Sequence, residues 1–237
     1  MKRLALILAV ALLARAEDGP TISDNSFLIE EAYNQDPGVV QHISTFERTR
    51  GGEWAYSFTQ EWPAPNLTHQ LSYTLNVDRD GISDVAAHYR YQLLSNDRVA
   101  VSPRVSLLVP TRDEAGDPAV QLMLPVSTVL TPRVVAHWNA GATFGNDAHE
   151  WTAGNSFVWL AHPRFNALVE TVWTRSEVDG HADSEVVISP GIRWAYNFDN
   201  GLQIVPGLAV PMPVGPDHGE RSIFLYLSFE HPFRRAQ

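Results

Sequence analysis

Residues 184–233 read SEVVISPGIRWAYNFDNGLQIVPGLAVPMPVGPDHGERSIFLYLSFEHPF. Segments in which every second residue is apolar alternate there with breaks rich in Gly, Asp, Asn or Pro. In the last segment the apolar positions are Ile223, Leu225, Leu227 and Phe229. A period of two residues is the pattern of a β-strand with one apolar face, and it differs from the period of a helix.

The first residues of the chain have the three parts of a secretory signal peptide. Lys2 and Arg3 precede an apolar run over residues 4–13, and Ala-Arg-Ala at residues 14–16 forms an A-x-A-like cleavage site. The apolar run is too short to span a membrane as a helix. We therefore predict a signal peptide over residues 1–16 and export of the mature chain.

The composition excludes several classes of protein. Removing the signal peptide takes Lys2, Arg3 and Arg15 from the 17 basic residues and none of the 27 acidic ones, which leaves a net charge of about −13. So acidic a chain is a poor nucleic-acid binder. Cysteine is absent, which rules out disulfides and thiolate metal sites. No later apolar run is long enough to predict a membrane-spanning helix.

Residues 17–38, EDGPTISDNSFLIEEAYNQDPG, form the one stretch without strand periodicity. Asp24 precedes an apolar and acidic run, and Pro37 and Gly38 follow it, which is the pattern of a short capped helix within residues 24–35. Such a segment would act as a plug or line the mouth of a barrel, or it would be a loosely docked tail. The sequence leaves both interpretations open.

The chain from residue 39 to residue 233 divides into strand-like segments. They lie near residues 39–48, 53–62, 69–77, 84–94, 98–111, 118–131, 133–145, 151–162, 164–178, 184–197, 201–214 and 221–233. We predict an all-β fold over 39–233, namely an antiparallel up-and-down transmembrane β-barrel of about 12 strands.

The polar face of the predicted strands favours an outer-membrane barrel over a soluble sandwich. A soluble protein would place many charges on its outer face, but no lysine follows Lys2, and the polar face carries mostly small, amide, hydroxyl and histidine side chains. Trp and Tyr near the strand ends suit the aromatic girdles of a membrane barrel. We therefore expect the protein in the outer membrane.

The breaks between the predicted strands also alternate. Those after even-numbered strands are mostly tight, such as Asp-Asn-Gly at 199–201, a type I′ hairpin signal, although residues 63–68 are an exception. Those after odd-numbered strands are expected to be longer and acidic, with Asp78, Asp179 and Asp183 among their residues. This contrast predicts that both termini face the periplasm.

The C-terminal pattern resembles a known family. Residues 200–211, NGLQIVPGLAVP, and 224–233, FLYLSFEHPF, together with SPRVSLLVPT at 102–111, are similar to the outer-membrane barrels of the MetA pathway of phenol degradation, a transporter-like family. The resemblance implies a channel for small hydrophobic or aromatic compounds, with no catalytic residues and no cofactor. In contrast to barrels that end on a terminal aromatic residue, four residues follow Phe233 here.

The ionisable side chains on the polar face are candidates to line the lumen and set its selectivity. They are Glu61, His88, Arg90, Arg104, His137, Glu170, Arg193 and Glu230, with Asn139 beside them. In an open channel, Arg and Glu on opposite walls set a field that selects solutes by charge and width. Alternatively, these groups pair across the lumen and close it as a polar core.

Two other functions remain open. One is a structural barrel without transport, and the other is an outer-membrane lipid hydrolase using His42 and Ser44, whose spacing puts them on one face of a strand. The remaining histidines are scattered and form no metal constellation. The expected partners are outer-membrane lipids and lipopolysaccharide, the barrel-assembly machinery and a small hydrophobic solute.

Overall fold

A computed structural model describes residues 22, 26–112, 116–146, 148–215 and 220–233. The predicted signal peptide at residues 1–16 and the Asp24 helix cap lie outside these residues. The described chain forms one sheet of 16 strands. They are β1 (Val39–Thr49), β2 (Trp54–Pro63), β3 (His69–Asp78), β4 (Gly81–Tyr91), β5 (Leu94–Ser95), β6 (Val99–Val101), β7 (Arg104–Pro110), β8 (Ala119–Thr131), β9 (Val134–Phe144), β10 (Ala148–His162), β11 (Phe165–Val178), β12 (His181–Trp194), β13 (Tyr196–Asn197), β14 (Gln203–Ala209), β15 (Met212–Val214) and β16 (Ser222–Pro232).

These strands make a closed antiparallel barrel of twelve barrel strands. Four of the twelve are each broken into two pieces, namely β4 with β5, β6 with β7, β12 with β13, and β14 with β15. The ring closes because β16 pairs with β1 from Val39 opposite Pro232 to Thr49 opposite Ser222, while β12 pairs with β14. Closure pairs the backbone groups that an open edge would expose. The prediction of an all-β barrel of about 12 strands is confirmed.

The alternating pattern sorts the side chains into two faces. On β16, Ile223 and Leu225 point outward and are 57% and 47% exposed, whereas Phe224 and Tyr226 between them are buried inside. The outer surface is apolar throughout, with exposed residues such as Leu71, Leu107, Leu122, Trp159 and Ile192. The inner face buries polar residues such as Gln41, Gln70, His137, Asn139 and Ser156. An apolar outside around a polar inside is the arrangement of a transmembrane β-barrel.

We call the end where β1 begins and β16 ends the terminal rim, and the other end the loop rim. The connections at the terminal rim are 64–68, 96–98, 132–133, 163–164 and 198–202, and those at the loop rim are 50–53, 79–80, 111–118, 145–147, 179–180 and 215–221. The two longest connections are at the loop rim, as expected. The contrast is nevertheless weaker than predicted, because Asp78 and Asp183 lie within β3 and β12, whose hairpins close with two-residue turns.

The type I′ turn predicted at 199–201 occurs instead at the loop rim. Asp179 and Gly180, which join β11 to β12, have φ of 50° and 78°, and two left-handed residues make a type I′ turn. In the connection 198–202, only Gly201 has a positive φ, of 85°. Its N–H donates to Phe198 O at 3.0 Å, so this is a tight turn followed by a left-handed glycine.

The helix considered for residues 24–35 is not formed over its described part, residues 26–35. No helix among the described residues is long and apolar enough to cross a membrane.

Candidate functional site

Residues 26–36 lie inside the barrel, and we call them the inserted segment. Upstream of them, Ile22 N–H donates to Pro163 O at the terminal rim, with an N to O distance of 3.2 Å. Downstream, Val39 N–H donates to Asp36 O at 3.1 Å, where β1 begins at the same rim. The inserted segment therefore enters and leaves the lumen through one opening.

Glu170 on β11 holds the first part of the inserted segment. Its Oε1 accepts hydrogen bonds from the backbone N–H groups of Phe27, Leu28 and Ile29 at 3.1, 2.9 and 3.0 Å. Backbone N–H groups removed from water require acceptors, which a helix or strand would supply from other residues of the backbone. Here one carboxylate oxygen supplies them, and this is the physical reason why the predicted helix is not formed.

The middle of the inserted segment is bound in the same way by β7, β8 and β9. Glu30 N–H donates to Asn139 Oδ1 at 2.8 Å, and Asn139 Nδ2 donates back to Glu30 O at 3.0 Å. The Glu30 carboxylate forms an ion pair with Arg104. Ala32 N–H donates to Ser127 Oγ at 2.8 Å. The wall thus pairs with this extended chain through side chains, as a neighbouring strand would through its backbone.

Arg90 on β4 binds the carbonyl side of the segment. Its guanidinium donates to Glu31 O at 2.9 Å, to Tyr33 O at 2.7 Å and to Asn34 Oδ1 at 3.1 Å. A planar, permanently charged fork with several donors suits this convergent arrangement, and lysine does not provide it.

Each end of the inserted segment also has a wall partner. Ser26 Oγ lies 2.7 Å from Ser156 Oγ on β10, and Gln35 N–H donates to Gln70 Oε1 on β3 at 2.7 Å. The segment therefore crosses the lumen from the β10 side of the barrel to the β3 side.

Phe27 occupies an apolar hollow in this polar lumen, which we call the ring site. The centroid of its ring lies 5.8 Å from that of Phe224 and 5.2 Å from that of Tyr226. The floor is formed by Gly191 and Gly207, where an added Cβ would lie 2.6 and 2.5 Å from atoms of the Phe27 ring. Only glycine leaves room for the ring at these two positions.

The eight predicted lumen residues all lie on the inner face, and three of them contact the inserted segment directly. These three are Glu170, Arg90 and Arg104. The wall groups do not simply face each other across water or pair with one another, because residues 26–36 lie between them. Their role in solute selectivity stays a prediction.

Two further predicted residues reach the segment through a neighbour. His137 Nδ1 lies 2.8 Å from the Oγ of Ser127, which binds Ala32, and Gln70 Nε2 donates to Glu61 Oε2 at 2.9 Å. The other three do not join this set.

The remaining predicted residues lie elsewhere on the wall. His88 is hydrogen-bonded to Ser106 at 2.7 Å and to Thr74 at 3.0 Å. Arg193 and Glu230 line two separate cavities near the terminal rim.

Several wall residues in the site had not been singled out from the sequence. Ser127, Ser156 and Gln70 belong to the small or amide face of their strands, and such residues carry no individual signal. Gly191 and Gly207 did carry one, because glycine within a strand often marks the close approach of another group.

Cavities lie on both sides of the inserted segment. At the terminal rim, two cavities of about 460 and 370 Å³ reach residues of the segment, among them Glu31. Burial, and then the nearby charges of Glu31 and Asp97, raise the pKa of Tyr33 at this rim.

At the loop rim, two cavities of about 400 and 480 Å³ share Glu185 and Pro213, and we call them together the vestibule. Its acidic lining residues are Glu47, Glu150, Asp183, Glu185 and Glu220. A vestibule of this charge attracts cations and repels anions.

The residues of the hydrolase alternative face outward. His42 Nε2 lies 3.2 Å from His231 Nε2, and its ring stacks near Phe58 with centroids 6.0 Å apart. Ser44 Oγ is 3.2 Å from Tyr56 OH. The geometry thus gives each residue of the proposed pair a different partner. In the part of the chain that is described, no group of three or more His, Asp or Glu side chains is placed to hold a metal ion.

Solved structures with the same barrel are known. The KdgM porin in complex with disordered oligogalacturonate superposes with a TM-score of 0.56 at 8% identity, over 83% of this chain and 99% of that one. The NanC porin gives 0.59 at 11% identity, over 80% and 98%. The COG4313 outer membrane channel from Pseudomonas putida F1 gives 0.57 at 13% identity, over 84% and 97%. The chain has the fold of an outer-membrane porin.

No protein-family model matches the chain, and no curated protein sequence does either. The resemblance to the barrels of phenol degradation therefore stays a prediction. At identities this low, the similarity to the three barrels concerns the fold.

Proposed function

We propose that the protein is an outer-membrane channel that its own N-terminal segment closes, and that it passes small hydrophobic or aromatic solutes. The signal peptide would direct export, the terminal rim would face the periplasm, and the vestibule would face the outside. Lipids and lipopolysaccharide would surround the apolar belt, and the barrel-assembly machinery would insert it.

The observation that carries this proposal is the way residues 26–36 are bound. Polar wall side chains hold the segment, and cavities lie on either side of it. If the segment moves, water can take over the same wall groups, so each exchanged hydrogen bond costs only about 0.5–1.5 kcal/mol. Movement of the segment would join the cavities into one path.

The charge of the vestibule supports an uncharged solute. Oligogalacturonate, with which the KdgM porin forms a complex, carries a carboxylate on each sugar unit. The carboxylates of Glu150, Asp183 and Glu185 would repel such a chain. The apolar ring site at Phe27 is compatible with a hydrophobic or aromatic molecule.

A disulfide lock tests the channel and its closure together. The chain has no cysteine, and Ser26 Oγ and Ser156 Oγ are 2.7 Å apart, so Ser26→Cys with Ser156→Cys places one disulfide between segment and wall. We expect little single-channel current in planar bilayers while the disulfide is intact. Reduction should restore the current of the unmodified protein.

The two single-cysteine variants are the matched controls and should conduct alike with or without reductant. Equal conductance of the oxidised and reduced double variant would remove the gate. An absence of conductance and of solute flux in every form, including one without residues 26–36, would favour the structural-barrel alternative.

A further inference from the structure

The ring site has the shape of a flat ring. Gly191 and Gly207 lie inside β12 and β14, where glycine weakens a strand. For both, the atoms nearest to an added Cβ belong to Phe27, at 2.6 and 2.5 Å. The two glycines therefore leave a slot in the wall that other residues would fill.

The walls of the ring site are apolar and aromatic. Phe224, Tyr226, Ile43 and Ala209 form one buried cluster, against which Phe27 packs. Tilted aromatic neighbours at centroid distances of 5.2 and 5.8 Å favour another ring between them. In a lumen whose other inner walls are mainly polar, this is a place where a small aromatic molecule gains contact area.

The ring site adjoins the vestibule. Val187, Pro211 and Ser222 line the 480 Å³ cavity. Each lies on the same inner face as, and nearer the loop rim than, a residue of the ring site: Gly191 on β12, Ala209 on β14 and Phe224 on β16, respectively. Leu28, next to Phe27, also lines this cavity. A solute entering from the loop rim would reach the ring of Phe27 first.

We propose that the ring site is a binding site for a one-ring aromatic solute, which competes with Phe27 and so releases the inserted segment. Phe27 is then an internal stand-in for the solute. This inference rests on the proposed channel function and adds to it the place where the solute binds and the event that opens the lumen.

The test uses toluene as the probe and the full mature chain refolded in detergent. Phe27→Ala empties the ring site, and we expect this variant to bind toluene about tenfold more tightly than the unmodified protein in calorimetric titrations. Adding Gly207→Val should fill the slot and remove the gain. Gly191→Ala in the Phe27→Ala background serves the same purpose if the valine variant does not fold, which its heat-dependent mobility in gels reports.

In planar bilayers, toluene should raise the open probability of the unmodified channel and leave that of Phe27→Ala unchanged. Equal toluene affinity of Phe27→Ala and the Gly207→Val double variant would overturn the binding site. Binding without any effect on the unmodified channel would overturn the competition. The disulfide lock reports on the proposed function separately, because it needs no aromatic solute.

Discussion

At the scale of single residues, Glu170 shows how one side chain can decide the conformation of a distant segment. Its Oε1 binds the N–H groups of residues 27–29, more than 140 positions earlier in the chain. Glu170 itself is fully buried. The inner wall of this barrel therefore acts on the inserted segment mainly through a few well-placed acceptors and donors.

Replacing Glu170 with alanine should loosen the inserted segment. Three N–H groups lose a charged acceptor, which costs about 3 kcal/mol of the free energy that holds the segment in place. We expect a higher open probability in single-channel recordings, because the closed state is the one that loses the contact. The thermal stability of the barrel should change little, since water can fill the vacated position on the wall.

Glu177→Ala is the matched control on the same strand. Glu177 pairs with Arg175 near the loop rim, and both side chains are more than a third exposed. This variant should conduct like the unmodified protein. An equal open probability for the Glu170 and Glu177 variants would contradict the role assigned to Glu170.

At the scale of elements, the strands and the inserted segment depend on different kinds of information. Every strand pairing of the described barrel joins strands of residues 39–232, so the barrel closes without a backbone ladder to the segment. We expect that deletion of residues 26–36 leaves a folded barrel with a larger and steadier conductance. Heat-dependent gel mobility would report the folding, and planar-bilayer recording the conductance.

Deletion of β16 is the contrasting variant. Removing residues 222–233 exposes the edges of β1 and β14, which β16 pairs with on its two sides. This variant should not give a folded form in gels. If it folded as well as the variant without residues 26–36, closure through β16 would not be needed for the barrel.

The difference explains what could be predicted from the sequence. Strand periodicity is local, so residues such as Ile223 and Leu225 predicted both a strand and its outward face. The path of the inserted segment depends on contacts such as Phe27 with Glu170, for which no local pattern exists. The acidic run at Glu30 and Glu31 indicated a helix, but Asn139 and Arg90 bind this backbone in an extended form. Tertiary contacts override helix propensity here.

At the scale of the whole molecule, the outer belt should tolerate charge only near its edges. Leu124, in the middle of β8, is 43% exposed on the outer face. Leu124→Arg should lower the free energy of unfolding by about 2–4 kcal/mol, because the charge enters the hydrocarbon layer. Val120→Arg, close to the loop rim on the same strand, should cost about 0–1 kcal/mol. Urea unfolding in lipid vesicles, followed by tryptophan fluorescence, would measure both, and equal costs would contradict this placement in the membrane.

The vestibule should set the ion preference of the open channel. Changing Glu150, Asp183 and Glu185 to Gln, Asn and Gln removes three negative charges from one lining. We expect the reversal potential in a KCl gradient to shift toward anions, and the shift to shrink at high salt because ions screen the remaining charges. Recordings on the variant without residues 26–36 give the largest currents for this test.

Glu53→Gln is the control for the vestibule. The Glu53 side chain is 73% exposed beside Arg79 at the loop rim. Its reversal potential should stay that of the parent channel. If the triple change and the control shift equally, the ion preference is set by overall charge and not by the vestibule.

The shared opening used by both ends of the inserted segment bears on the order of assembly. Ile22 and Val39 both lie at the terminal rim, so the chain between them dips into the ring and returns. β1 and β16 can therefore zip together around an empty interior, and residues 26–36 can enter afterwards from one side. The same route in reverse empties the ring without separating any pair of strands. Biogenesis and gating would then use one movement, run in opposite directions.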